Sequence, residues 1–150
     1  MSPTPIIVIG RIPKILDKVR EDLLPEYDAI HMLNDVDRSI KDLPLLLTET
    51  PKKPEDSATN AGSQNYSARP LAVAVGGYFD DAMFNQMKDT CKAVDKGIVW
   101  LRPDTTKFKS MPSLSDTDAF GIAMAERVKT KLIELGVGKE TGTEEGVHFF

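Results

Sequence analysis

Four short runs of aliphatic, largely β-branched residues recur along the chain: IIVIG at 6–10, YDAIHML at 27–33, LAVAVGG at 71–77 and GIVWLRP at 97–103. Three are near-continuously apolar rather than alternating. That marks strands covered on both faces, and hence a parallel sheet. The stretches between and after them follow helical spacing. PKILDKVREDLL sets Ile15, Leu16, Val19 and Leu23 on one face, and Pro13 suits a first turn, where no N–H is needed. DDAMFNQMKDTCKAV does the same with Met83, Phe84, Met87, Cys91 and Val94, capped by Asp80 or Asp81. DAFGIAMAERVKTKLIELGVG carries Phe120, Met124, Val128, Lys131 or Leu132, and Leu135, with Asp118 as cap and Gly136 past the last turn. The helix between the second and third runs is less sharply marked. Asp35 or Asp37 caps VDRSIKDL, and Pro44 should kink or end it.

Strand and helix therefore alternate through four of each. Right-handed crossovers then build a three-layer α/β domain, with helices on both faces of a doubly wound sheet of four parallel strands. The expected strand order is 2-1-3-4, with 3-2-1-4 the alternative. A length of 150 residues fits a single domain, 1–150. Residues 48–70 are rich in Pro, Ser, Asn, Lys and Glu and read as a mobile insertion. They join a helix to a strand, so they belong at the amino end of the sheet. Residues 102–118 join a strand to a helix at the carboxyl end, where long loops act as lids or binding loops. The stretch 139–150, ending GVHFF, reads as a tail that is mobile unless it docks.

Composition narrows the function classes. Net charge is −4 without any block of like charges, which argues against nucleic-acid binding. Cys91 stands alone, so neither an intrachain disulfide nor a cysteine zinc cluster is available. With only His31 and His148 besides, no metal site is expected. The opening MSPTPIIVIG lacks a basic flank and a long apolar run, so a membrane role is not expected and a cytoplasmic location is.

In doubly wound sheets ligands bind beyond the carboxyl ends of the strands, where strand order reverses. For order 2-1-3-4 that point lies between the first and third strands. The converging residues are Gly10 and Arg11, then Gly76, Gly77, Tyr78 and Asp80, with Arg102, Asp104 and Lys107 alongside. Gly10 turns the chain into a helix whose free amides favour an anion, and Arg11 and Lys14 add charge. Gly76–Gly77 suit either a pocket floor or a tight turn. Tyr78 offers a ring and a hydroxyl. Arg102 is a fork for a carboxylate or phosphate, unless Asp104 or Asp80 takes it. Asp35, 25 positions after Gly10, suits a ribose hydroxyl or a helix cap. His31, near a strand's carboxyl end, reads as a hydrogen-bonded core residue, and Trp100 as core.

The alternation, with Gly10, Gly76 and Gly77, resembles the Rossmann-like group of α/β domains at the level of the fold. That resemblance implies nucleotide or cofactor binding. The glycine fingerprint G-x-G-x-x-G is incomplete, because Ile12 and Ile15 stand where its second and third glycines belong, which disfavours NAD(P). Asp35, Asp80 and Asp81 resemble the acidic set of receiver domains, but the phosphoacceptor position holds VGGYF and a fifth strand is not evident. The expected function is binding of an anionic or nucleotide-like small molecule at the carboxyl end of the sheet. One alternative is a non-catalytic interaction module that homodimerises through an open edge at GIVW or through the GVHFF tail. Another is an NAD(P)-dependent oxidoreductase using Tyr78 and Lys107, although the Tyr-x-x-x-Lys pair of short-chain reductases is absent, Ala82 being the fourth residue after Tyr78.

Overall fold

A computed structural model describes residues 2–55, 57–139 and 145–150. The elements run β1 (Thr4–Ile9), α1 (Pro13–Leu23), β2 (Tyr27–Leu33), α2 (Val36–Leu46), β3 (Ala72–Val75), α3 (Asp81–Asp89), β4 (Val99–Arg102), α4 (Thr117–Glu134) and β5 (Gly146–Phe149). All strand pairs are parallel and the order is 2-1-3-4-5. The α/β class and the parallel sheet hold, and the expected count of four strands is corrected to five. The missed strand is GVHF, whose alternation spans only four residues: Val147 and Phe149 face outward, while His148 is half-buried. Within the stretch read as a tail, residues 140–144 lie outside the described residues. The remainder docks, and Phe150 is buried in the core.

Strand alternation divides the core in two. Ile6, Val8, Ala72, Ala74, Val99 and Leu101 pack against α1 and α4. Ile7, Ile9, Val73, Val75 and Trp100 pack against α2 and α3. A bulge in the β1–β2 register passes over Ile30, so that Ala29 pairs with Ile6 and His31 with Ile7. Sheet order and layering together reverse one expectation. The chain advances in one direction from β3 through β4 to β5, yet α3 and α4 cover opposite faces. The final crossover is therefore of opposite hand to the first three, whereas the right-handed rule would lay α4 beside α3. What holds α4 on the α1 face is close packing. A Cβ at Gly121 would lie 2.6 Å from Lys18 Cβ, so the two helices meet at that glycine.

Caps follow the sequence with one shift. Asp35 accepts the Arg38 amide, Asp80 accepts Met83, and Asp116 rather than Asp118 accepts Ala119. Gly136 has φ 74°, and Val137 donates back to the Leu132 carbonyl, closing α4. α2 continues through Pro44 to Leu46 rather than ending there, because its last turn buries Leu43 and Leu46. Residues 60–64, part of the stretch read as an insertion, lie along the outer edge of β2. Ser63 and Gln64 donate to the Ala29 and Ile30 carbonyls, and the Asn60 side chain bonds both the amide and the carbonyl of Met32. Among the described residues, no helix is long and apolar enough to cross a membrane.

Candidate functional site

A hollow of about 500 Å³ opens at the carboxyl ends of β1 and β3, where strand order reverses. Folded interiors leave few voids larger than a water molecule, so a space this size is not a packing flaw. It falls in the range of small-molecule sites. Val8 and Ala74 rise from the sheet as its floor, and Ile15, Leu16 and Val19 of α1 form one wall. Phe120, Met124 and Val128 of α4 form the other. Met111, Pro112 and Leu114, from the loop between β4 and α4, close the top together with Phe150. Gly10, Gly76 and Gly77 bring backbone to the rim, where Arg11 lies over the Tyr78 ring at 5.2 Å.

Of the residues singled out in the sequence, Gly10, Arg11, Gly76, Gly77 and Tyr78 line this hollow. The others lie elsewhere. Arg102 turns to the α3 side, where it pairs with Asp81 at 2.6 Å, donates to the Phe79 carbonyl at 3.2 Å and covers the Phe84 ring. Its carboxylate partner is thus neither Asp104 nor Asp80. Asp80 and Asp35 are spent as helix caps. Asp104 accepts from the hydroxyl and the amide of Thr106, and these bonds lower its pKa. Lys107 sits in the short 3-10 segment Thr105–Ser110 and is not among the lining residues, so it does not join Tyr78 there.

The turn after β1 differs from a phosphate grip in two ways. Pro13 opens α1 without an N–H, and Ile12 provides no side-chain cap. A Cβ at Gly10 would lie 2.8 Å from Leu16 Cδ2, so this glycine makes room for a leucine. The sequence reading missed the walls. It missed the roof too, whose signal was Met111 and Leu114, apolar residues in a largely polar loop.

A second polar cluster lies under α2. His31 is 1% exposed, with Nδ1 2.7 Å from the Tyr66 hydroxyl and Nε2 3.3 Å from Asn60 Nδ2. Buried Asp42 pairs with Arg38 at 2.7 Å and lies 3.9 Å from His31 Nε2. Desolvation pushes the His31 pKa down to about 4. Cys91 is buried, and its thiol is pushed up to about 12, mainly by desolvation, so it is not a nucleophile at neutral pH. Among the described residues, no three His, Cys, Asp or Glu side chains gather as a metal site.

No family model matches the chain, and no solved structure matches it. It is similar to kojic acid related protein 6 of Aspergillus oryzae (strain ATCC 42149 / RIB 40). The two are 31% identical over 132 residues, which is 87% of this chain and 77% of the relative.

Proposed function

The chain belongs to the family of kojic acid related protein 6, and we propose that it is a small-molecule-binding domain whose ligand occupies the hollow at the carboxyl end of the sheet. The observation that carries this reading is the position of the hollow. It opens at the switch point between β1 and β3, with three glycine backbones at its rim and a loop across its top. The name of the relative ties that protein to kojic acid, which makes kojic acid one compound to try. No reaction is proposed, because the two ionisable side chains at the hollow, Arg11 and Tyr78, stack on each other and no third one joins them among the described residues.

A thermal-shift screen of metabolites, kojic acid and nucleotides tests the reading. A ligand present at about 100 times its Kd stabilises the folded state by about 2.7 kcal/mol. For a domain of this size that raises Tm by roughly 5–10 °C. Ala74→Leu, which fills the floor, should abolish the shift. If no compound moves Tm by more than about 1 °C under conditions where the arithmetic demands several, the binding function is wrong.

Self-association is a second reading, favoured by a different observation. The expected open edge at β4 is covered by β5, so pairing through GIVW is ruled out in this fold. The exposed apolar side chains Val147 and Phe149 instead lie on β5 itself, and the mass in solution tests whether they pair.

A further inference from the structure

We infer that the hollow takes an apolar molecule carrying a single carboxylate, with its body between the sheet and the α1–α4 pair and its head at Arg11. This rests on the binding function proposed above and names the class of ligand. Among the described residues, Arg11 and Tyr78 are the only ones in the lining whose side chains bear polar groups. Both lie at the mouth: Arg11 is exposed and Tyr78 is 57% exposed. Everything deeper is aliphatic, aromatic or thioether. A ligand that buried sugar hydroxyls or a base edge there would leave them without partners, so the body of the ligand is apolar.

The head follows from the charge at the mouth. Arg11 forms no ion pair among the described residues, and its recorded contact is the face of Tyr78. Among the described residues, no side-chain carboxylate belongs to the lining. One guanidinium without an ion pair among the described residues, lying over a phenol ring, matches a monoanion that accepts a two-pronged hydrogen bond. A phosphate or pyrophosphate needs more. The turn that would cradle it lacks one amide at Pro13, and Leu16 fills the space over Gly10. The roof suits an apolar body of adaptable shape, since Met111 is unbranched and Leu114 is 57% exposed, lacking cover on its outer side.

Calorimetric titration of the full chain with decanoate, 1-decanol, AMP and NAD tests the inference. Decanoate should bind at least 5-fold more tightly than decanol, and both more tightly than either nucleotide. Arg11→Gln should bring decanoate down to the affinity of decanol and leave decanol unchanged. Ala74→Leu should weaken both at least 10-fold. Should that variant fail to fold, Leu114→Asn at the exposed roof, which removes apolar surface without adding charge, should weaken both instead. Equal binding of decanoate and decanol by the wild type overturns the assigned head. Tight binding of AMP or NAD that is lost in Ala74→Leu overturns the ligand class while leaving the site in place. Silence from all four probes overturns the class. Only silence across the wider thermal-shift screen as well removes the binding function.

Discussion

His31 is a neutral ring whose tautomer the surrounding bonds decide. The Asn60 amide is oriented by Met32, whose N–H donates to Oδ1 and whose carbonyl accepts from Nδ2. Its remaining Nδ2 hydrogen points to His31 Nε2, which must therefore be bare, so Nδ1 carries the proton and donates to the Tyr66 oxygen. Desolvation lowers the pKa to about 4, with the Asp42 carboxylate opposing and the Arg38 charge assisting. In the unfolded chain the ring titrates near 6.5. Between those values the unfolded chain binds a proton that the folded chain refuses, so stability is complete above about pH 6.5 and is lost as pH falls toward 4. The loss attributable to this ring approaches about 3 kcal/mol at the bottom of the window. Urea unfolding at pH 7, 5.5 and 4 should show wild type losing more stability than His31→Gln across the range. Parallel losses in the two proteins would mean that the histidine is not held neutral.

Elements differ in how plainly the sequence announced them, and the reason is burial. β1, β3 and β4 are covered on both faces, and their unbroken apolar runs identify them. β5 lies at an edge and offers one short alternation. The 60–64 segment has no aliphatic pattern because it binds β2 through its backbone and through Asn60, bonds that leave no periodicity in the sequence. The rim of the candidate site was legible because glycines at strand ends are conspicuous. Its walls were not, because Phe120, Met124 and Val128 are indistinguishable in sequence from ordinary core residues of α4. Arg102 drew attention as a free cation, but Asp81, the residue after the cap Asp80, claims it across 21 residues of chain. Gly62 is where the docking of 60–64 can be tested. A Cβ there would lie 2.6 Å from the backbone of Ile30 and His31, with no flexible side chain able to yield. Gly62→Ala should therefore lift the segment from β2 and cost about 1–3 kcal/mol, in the manner of overpacking. Hydrogen exchange at the Ser63 and Gln64 amides, which bond Ala29 and Ile30, should accelerate by at least 10-fold. Unchanged protection at both amides would show that the edge is not closed in this way.

The handedness of the last crossover shapes the whole molecule. With α4 on the α1 face, no helix follows α3 across the sheet, and the outward side of β5 keeps Val147 at 38% and Phe149 at 52% exposure. The two edges of the sheet are consequently unequal. The β2 edge is closed by the chain's own residues 60–64, while β5 bonds β4 on one side only among the described residues. In a parallel pair alternate residues bond inward: Gly146 and Phe150 donate to Ile98 and Arg102, which turns the backbone groups of Val147 and Phe149 outward. These two residues flank His148. A two-fold axis through that residue would set Val147 of one copy opposite Phe149 of the other, twice over, an isologous β-branched–aromatic pairing. So short an edge buries less than a stable interface of about 1,200 Å² requires, so the association should be weak and dependent on concentration. Light scattering should show the mass rising from 16.6 kDa toward twice that value as concentration approaches the millimolar range. Val147→Lys with Phe149→Lys should hold the chain at the monomer mass with Tm within about 4 °C of wild type, because exposed substitutions change stability by only about 0.5 kcal/mol each. A wild type that stays at the monomer mass throughout would leave this edge without a partner copy, and the hollow on the opposite face would carry the function alone.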